Sequence, residues 1–160
     1  MRPFEAIVEE HGARVLRVCR ALVGPIDGED AWSETFLAAL TAYPKLAPGS
    51  DVRAWLVTIA HRKAIDILRA RSRTALPYGE LPELPSNLGV PDAGDRDLWT
   101  AVAGLPERQR QALAYHYLGG LPHGETATLV GGSVESVRRA ASDGIAALRR
   151  IYSAQERSTS

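Results

Sequence analysis

Four histidines, a single cysteine and two clusters of arginine are the chemically versatile groups of this 160-residue chain. His11, His61, His116 and His123 form no i, i+4 pair, and Cys19 has no second cysteine to join, so neither a zinc-ligand pair nor an internal disulfide is expected. His116, His123 and Glu125 are the one grouping that a turn at Gly119-Gly120 would gather, and they lack the spacing of a metal motif. Cys19 recurs at helical spacing with Val15, Leu16 and Leu22 and reads as a buried apolar filler. Asp66, between Arg62 and Arg69, reads as a structural ion pair. There is no glycine-rich phosphate loop, nucleophile elbow or paired carboxylate in a plausible cleft. The expectation is a protein that is not an enzyme and uses no cofactor or metal.

What arginines do without a catalytic partner is bind. From Asp51 to Arg73 the chain places Arg53, Arg62, Lys63, Arg69, Arg71 and Arg73 on one helical stretch with Trp55 and His61. Cations beside an aromatic suit single-stranded DNA, whose phosphates need neutralising and whose exposed bases can stack. Basic residues near a helix C-terminus also favour the macrodipole, and Trp55 can equally be core, so both readings stand. The second cluster opens SVESVRRAASDGIAALRR, residues Ser133 to Arg150. An N-cap serine, Val134 and Val137 facing inward, and the exposed set Glu135, Ser136, Arg138, Arg139, Ser142 and Asp143 outline a DNA-reading helix. Arginine pairs with guanine edges or phosphates, whereas Asp143 opposes phosphate. A helical hairpin packing against a protein is the alternative. A third group, Asp27, Glu29, Asp30 and Glu34, gathers negative charge in the first turns of another helix. There it meets the dipole, and where exposed it suits a basic partner.

These residues must be positioned by helices, because apolar residues recur at helical spacing almost everywhere and strand-like alternation is nowhere sustained. The spacing predicts helices over about 3–23, ended by Gly24-Pro25, and 27–43, capped by Asp27 and carrying Trp32, Phe36, Leu37 and Leu40 inward. A third runs from a Ser50 or Asp51 cap to about Ser72. TALPYGELPELPSNLGVPDAG, rich in proline and glycine and without a basic residue, reads as a flexible linker. Helices follow over about 95–103, 106–118 and 122–130, then from the Ser133 cap to about Tyr152. The fold class is all-α: two small helical domains, 1–73 and 96–152, joined by a flexible linker at 74–95, the second a helix-turn-helix. Residues 153–160 are expected to be a disordered tail.

Net charge is zero, but its distribution is uneven. Residues 51–73 carry six basic against two acidic groups, and residues 74–106 one against five. A binding site responds to this local field rather than to the average. No apolar run approaches the ~20 residues that cross a bilayer, and MRPFEAIVEEHG lacks the apolar core of a signal peptide. A cytoplasmic protein is expected.

Taken in order, GEDAWSETFLAAL, RAWLVTIAHRKAIDILRARSR, LPERQRQALAYHYLGGLPHGETA and the capped last helix resemble the extracytoplasmic-function (ECF) sigma factors of the sigma-70 family. The resemblance covers about residues 3–73 and 96–151. It implies a transcription initiation factor whose partners are core RNA polymerase and promoter DNA, with an anti-sigma factor as a further partner and no membrane insertion. It implies polymerase binding by Asp30, Ser33 and Glu34, with Phe36 as support. It implies capture and melting of the −10 element by Lys45, Ser50, Asp51, Arg53, Trp55, His61, Arg62, Lys63 and Arg69. It implies −35 reading by Ser133, Glu135, Ser136, Arg138 and Arg139. The chain departs from the family in Ser33, often glutamine, and Arg62, often asparagine. It also departs in Pro122 for a capping serine, in Thr126 at a usually apolar position, and in the basic series stopping before Ala140 and Asp143. Those departures leave an alternative: a sigma-like regulatory protein whose degenerate DNA-reading domain binds a protein partner.

Overall fold

The computed structural model describes residues 2–74 and 93–159. Among them every regular element is helical: α1 (Phe4–Ala42), a 3-10 turn (Tyr43–Lys45), α2 (Val52–Thr74), α3 (Ala93–Ala103), α4 (Glu107–Ala112) continuing as a π-helical turn (Leu113–Leu118), α5 (His123–Val130) and α6 (Val134–Thr159). The first two expected helices form one long element broken at Gly24, whose φ of 97° and ψ of 169° no helix accepts. Glycine alone takes that conformation without strain, and Pro25 restarts the helix directly behind it.

Two long-range bonds hold the arms of α1, residues 4–23 and 25–42, in place. The Trp32 indole N–H donates to the Gly12 carbonyl at 2.9 Å. The Arg71 guanidinium grips both the Asp27 carboxylate, its Nε at 2.9 Å, and the Val23 carbonyl that the break leaves without a helical donor. Asp27 is therefore the acceptor of a tertiary clasp rather than a cap, and Arg71 is a structural residue. Asp66 makes no ion pair within 4 Å among the described residues, contrary to the helical-spacing argument; it is exposed, where such a pair gains little.

α2 starts where Asp51 Oδ1 accepts the Ala54 N–H at 3.1 Å, which decides between the two candidate caps. Leu56, Val57, Ala60 and Ala64 of α2 face Val15, Val18, Cys19 and Leu22 of α1, all buried. Cys19 is sealed there, and burial pushes its thiol up to about 12, so it is inert filler as expected. Phe4, Trp32, Phe36, Tyr43 and Trp55 form a chain of ring contacts with centroids 4.8–6.3 Å apart along one edge of this core.

The linker expected at 74–95 lies outside the described residues except at its ends, which are helical. α2 reaches Thr74 and α3 begins at Ala93. α6 also runs past Tyr152 to Thr159, where the sequence reading ends it; SAQERSTS contains neither proline nor glycine to stop it. The second half has a small cluster of its own, Ala112, Ala127, Val137 and Ala141. Its larger apolar residues, Trp99, Val102, Ala114, Tyr115 and Leu121, instead join the core built by α1 and α2. The two helical domains are thus packed together.

Candidate nucleic-acid and protein interfaces

The outer face of the second arm of α1 carries Asp30, Ser33 and Glu34, all exposed. Leu37 and Leu40, expected to face inward, lie 60% and 52% exposed beside them, and Ile26 is 51% exposed. Residues 26, 30, 33, 37 and 40 repeat at three and four, so they share one stripe that is acidic and apolar together. Alternation of helical period could not tell which of two apolar stripes faced the core; Ala31, Thr35 and Ala39, small and buried, take that role. Phe36 is itself core, packed on Phe4 and Trp32, and supports the stripe from behind.

The residues expected at the −10 element divide between two sides of α2. Trp55, Arg62 and Arg69 recur every seven residues along one side of α2, Arg62 and Arg69 exposed and Trp55 half-buried, packed on the core and against Tyr43. At 1.5 Å per residue this strip runs for roughly 20 Å. Lys45 is exposed in the turn that precedes it, Ser50 and Asp51 lead into α2, and Lys63 flanks the strip half-buried. Trp55 is thus both core-supported and one-sided, which reconciles its two readings.

Arg53 and His61 point the other way, to the junction between the domains. The His61 ring sits edge-on to Tyr115, with the Tyr115 hydroxyl 2.5 Å from Nδ1. Burial, and after it the Arg62 charge, lowers the pKa of His61, which favours the neutral ring beside the tyrosine hydroxyl. Tyr115 is fully buried, which raises its own pKa. The π-helical turn is what aims it: the extra residue per turn sends the Gly119 N–H to the Ala114 carbonyl at 2.8 Å.

In the second domain, Ser133 caps α6 through a 3.0 Å bond from the Ser136 N–H to its Oγ. Glu135, Arg138, Arg139, Ser142 and Asp143 are exposed, and Ser136 returns its hydroxyl to the Ser133 carbonyl at 2.9 Å. Val137 is buried, but Val134, the first residue of α6, is 39% exposed rather than core. Arg108 on α4 donates to the Val130 carbonyl at 3.1 Å and so secures the turn between α5 and α6. Gly144 is a packing requirement: a Cβ there would stand 2.9 Å from Leu113 Cδ1. Its helix-propensity cost is offset by letting α6 lie close on the preceding helix. His116 and His123 do meet, as a face-to-face stack 3.7 Å apart, with His116 Nδ1 2.7 Å from the Leu121 carbonyl. No group of three or more potential metal ligands occurs among the described residues. Nor is any described helix long and apolar enough to cross a membrane.

Residues 7–74 match the family model Sigma-70 region 2, and residues 95–148 match Sigma-70, region 4. The chain is 32% identical over 141 residues to the ECF RNA polymerase sigma factor SigC of Mycobacterium tuberculosis, covering 86% of this chain and 76% of SigC. It is 32% identical over 155 residues to the ECF RNA polymerase sigma factor ShbA of Streptomyces griseus, covering 85% and 80%. Among solved structures, CnrH in complex with the cytosolic domain of CnrY matches with a TM-score of 0.64 and 24% identity, covering 94% of this chain and 88% of that one. The sigma factor RpoE in complex with the anti-sigma factor NepR from Bartonella quintana matches at 0.69 and 20%, covering 93% and 98%. Two sigma-70 regions in order on one all-helical chain, with relatives matched over most of their own length, establish that this chain belongs to the ECF RNA polymerase sigma factors.

Proposed function

We propose that the chain, in the cytoplasm, binds core RNA polymerase and directs it to a promoter, with no catalytic act of its own. Polymerase is engaged by the Asp30–Glu34 stripe together with Leu37 and Leu40. The non-template −10 strand runs along Lys45, Trp55, Arg62 and Arg69, with Ser50, Asp51, Arg53, His61 and Lys63 reached at its margins. The −35 element meets Ser133, Glu135, Ser136, Arg138 and Arg139. The observation that carries this reading is the strip of Trp55, Arg62 and Arg69, an aromatic and two exposed cations at heptad spacing on one side of α2. A protein that only read duplex DNA would have no use for it. The domains behave as separate binding units, 1–73 and 96–152. By analogy with the complexes of CnrH and RpoE, an anti-sigma factor is a further partner.

Run-off transcription with purified core polymerase over a promoter library tests the proposal. Promoter-dependent transcripts are expected, lost in Arg62→Ala/Arg69→Ala, and the absence of any polymerase binding would sink it. A second reading, a regulator whose second domain binds protein instead of DNA, is favoured by exposed Asp143 on the reading face. Open complexes that survive deletion of residues 96–160 would support it.

A further inference from the structure

A cleft of about 500 Å3 lies between α1 and the start of α2, lined by Arg2, Glu10, His11, Arg14, Ser50, Asp51, Val52 and Arg53. Its two carboxylates are already engaged. Glu10 takes Arg2 at 3.2 Å and His11 Nε2 at 2.9 Å, and Asp51 caps α2. Ser50 donates to the Ala47 carbonyl at 2.6 Å. That leaves Arg14 and Arg53 with no acidic partner within 4 Å among the described residues. Moreover, the two guanidiniums converge. Arg14 Nη1 and Arg53 Nη1 lie 2.9 and 3.2 Å from one point, the place a Cβ on Gly120 would occupy. Arg53 Nε is buried with no hydrogen-bond partner at all.

Two like charges held together, one with an orphaned buried donor, are stable where an anion completes them. Val52 and Arg53 also stand in the first turn of a 23-residue helix, whose N–H groups have no carbonyl within the helix and whose dipole favours negative charge. We propose that this cleft is a phosphate-binding site in which the Arg14 and Arg53 forks take the oxyanion and Arg2 closes its rim. Arginine suits that role because its planar fork matches phosphate oxygens two at a time. Three cations gather here: His11, its pKa lowered first by burial and raised in part by Glu10, is also held down by Arg14, Arg2 and Arg53. Gly120, at φ 76°, brings the second domain's backbone against both guanidiniums, while the cleft itself is lined by the first domain alone.

The inference goes beyond promoter reading through Arg2, His11 and Arg14, which take no part in it, and rests on that reading only in sharing Arg53, Ser50 and Asp51. The phosphate comes either from a DNA backbone or from a free phosphorylated molecule. The full chain is titrated with inorganic pyrophosphate, following heat release and thermal unfolding. Saturable binding with a raised Tm is expected. Arg14→Gln and Arg53→Gln should each weaken it about tenfold or more, as loss of a charge-assisted pair does. Arg150→Gln, an exposed arginine of α6 that does not line the cleft, should leave it unchanged. No binding, or equal binding in all four proteins, would overturn the site. So would equal loss in Arg150→Gln, which would mark a diffuse charge effect. A single-stranded oligonucleotide then assigns the source: displacement of pyrophosphate names the DNA backbone, and co-binding names a free ligand. The oligonucleotide's own affinity, read in the same experiment, judges the promoter proposal separately.

Discussion

Tyr115→Phe is the sharpest perturbation the interdomain junction offers. It removes one oxygen from a fully buried side chain and leaves the ring, so the apolar contacts of the junction survive. What is lost is the hydrogen bond to His61, a polar tie between the junction side of α2 and the second domain. A bond of this kind contributes about 1 kcal/mol net, because each partner regains water when the domains part. That shifts the ratio of open to closed chain about fivefold. Where the closed form predominates and the strand needs the His61 side of α2, apparent affinity rises by the same factor. Fluorescence anisotropy with a single-stranded −10 oligonucleotide measures it. Energy transfer between dyes on Arg73→Cys and Ser153→Cys reports the separation independently; both sites are exposed, and native Cys19 is too buried to label. Affinity and transfer that both match the wild type would refute the argument that this contact holds the domains together and covers the His61 side of α2.

Other expectations follow from particular side chains. Thr126 is fully buried and its Oγ1 has no partner, so Thr126→Val should raise stability by about 1 kcal/mol in urea unfolding; a lower midpoint would reveal a hidden acceptor. Asp143→Arg should tighten binding to promoter duplex and steepen the salt dependence by about 0.9 in log–log slope, and an unchanged slope would mean this face meets no phosphate. His11 and His61 both have folded pKa values below the ordinary 6.5, burial being the first cause in each. On acidification the unfolded chain therefore takes up protons first. Stability is full above about pH 7 and declines as pH falls through 6.5 towards the folded values. A urea midpoint at pH 5.5 equal to that at pH 7.5 would contradict this.

Much of this molecule was legible from its residues because helices are written locally. Period, caps and breakers act over three or four positions. Hence the all-α class, the Ser133 cap, a cap at Ser50 or Asp51, the Gly24-Pro25 break, the buried Cys19 and the exposed Arg138 and Arg139 could all be read in order. Local rules were silent where two faces of one helix were both plausible interiors. Leu37 and Leu40 look like core until small Ala31, Thr35 and Ala39 are seen to let the partner helix closer on the opposite side. They also misjudged groups whose partners lie far along the chain. Arg71, forty-four residues from Asp27, clasps its carboxylate, a tertiary bond that its place in a basic stretch does not reveal. Gly144 is required by Leu113, thirty-one positions earlier, and not tolerated as a flaw. Most of all, the sequence determined that two helical domains would form, while tertiary packing alone decided that Tyr115 would reach His61 and that Arg14 and Arg53 would converge beside Gly120. Contacts between side chains fifty or more residues apart depend on the shape of both surfaces at once, which no local spacing encodes.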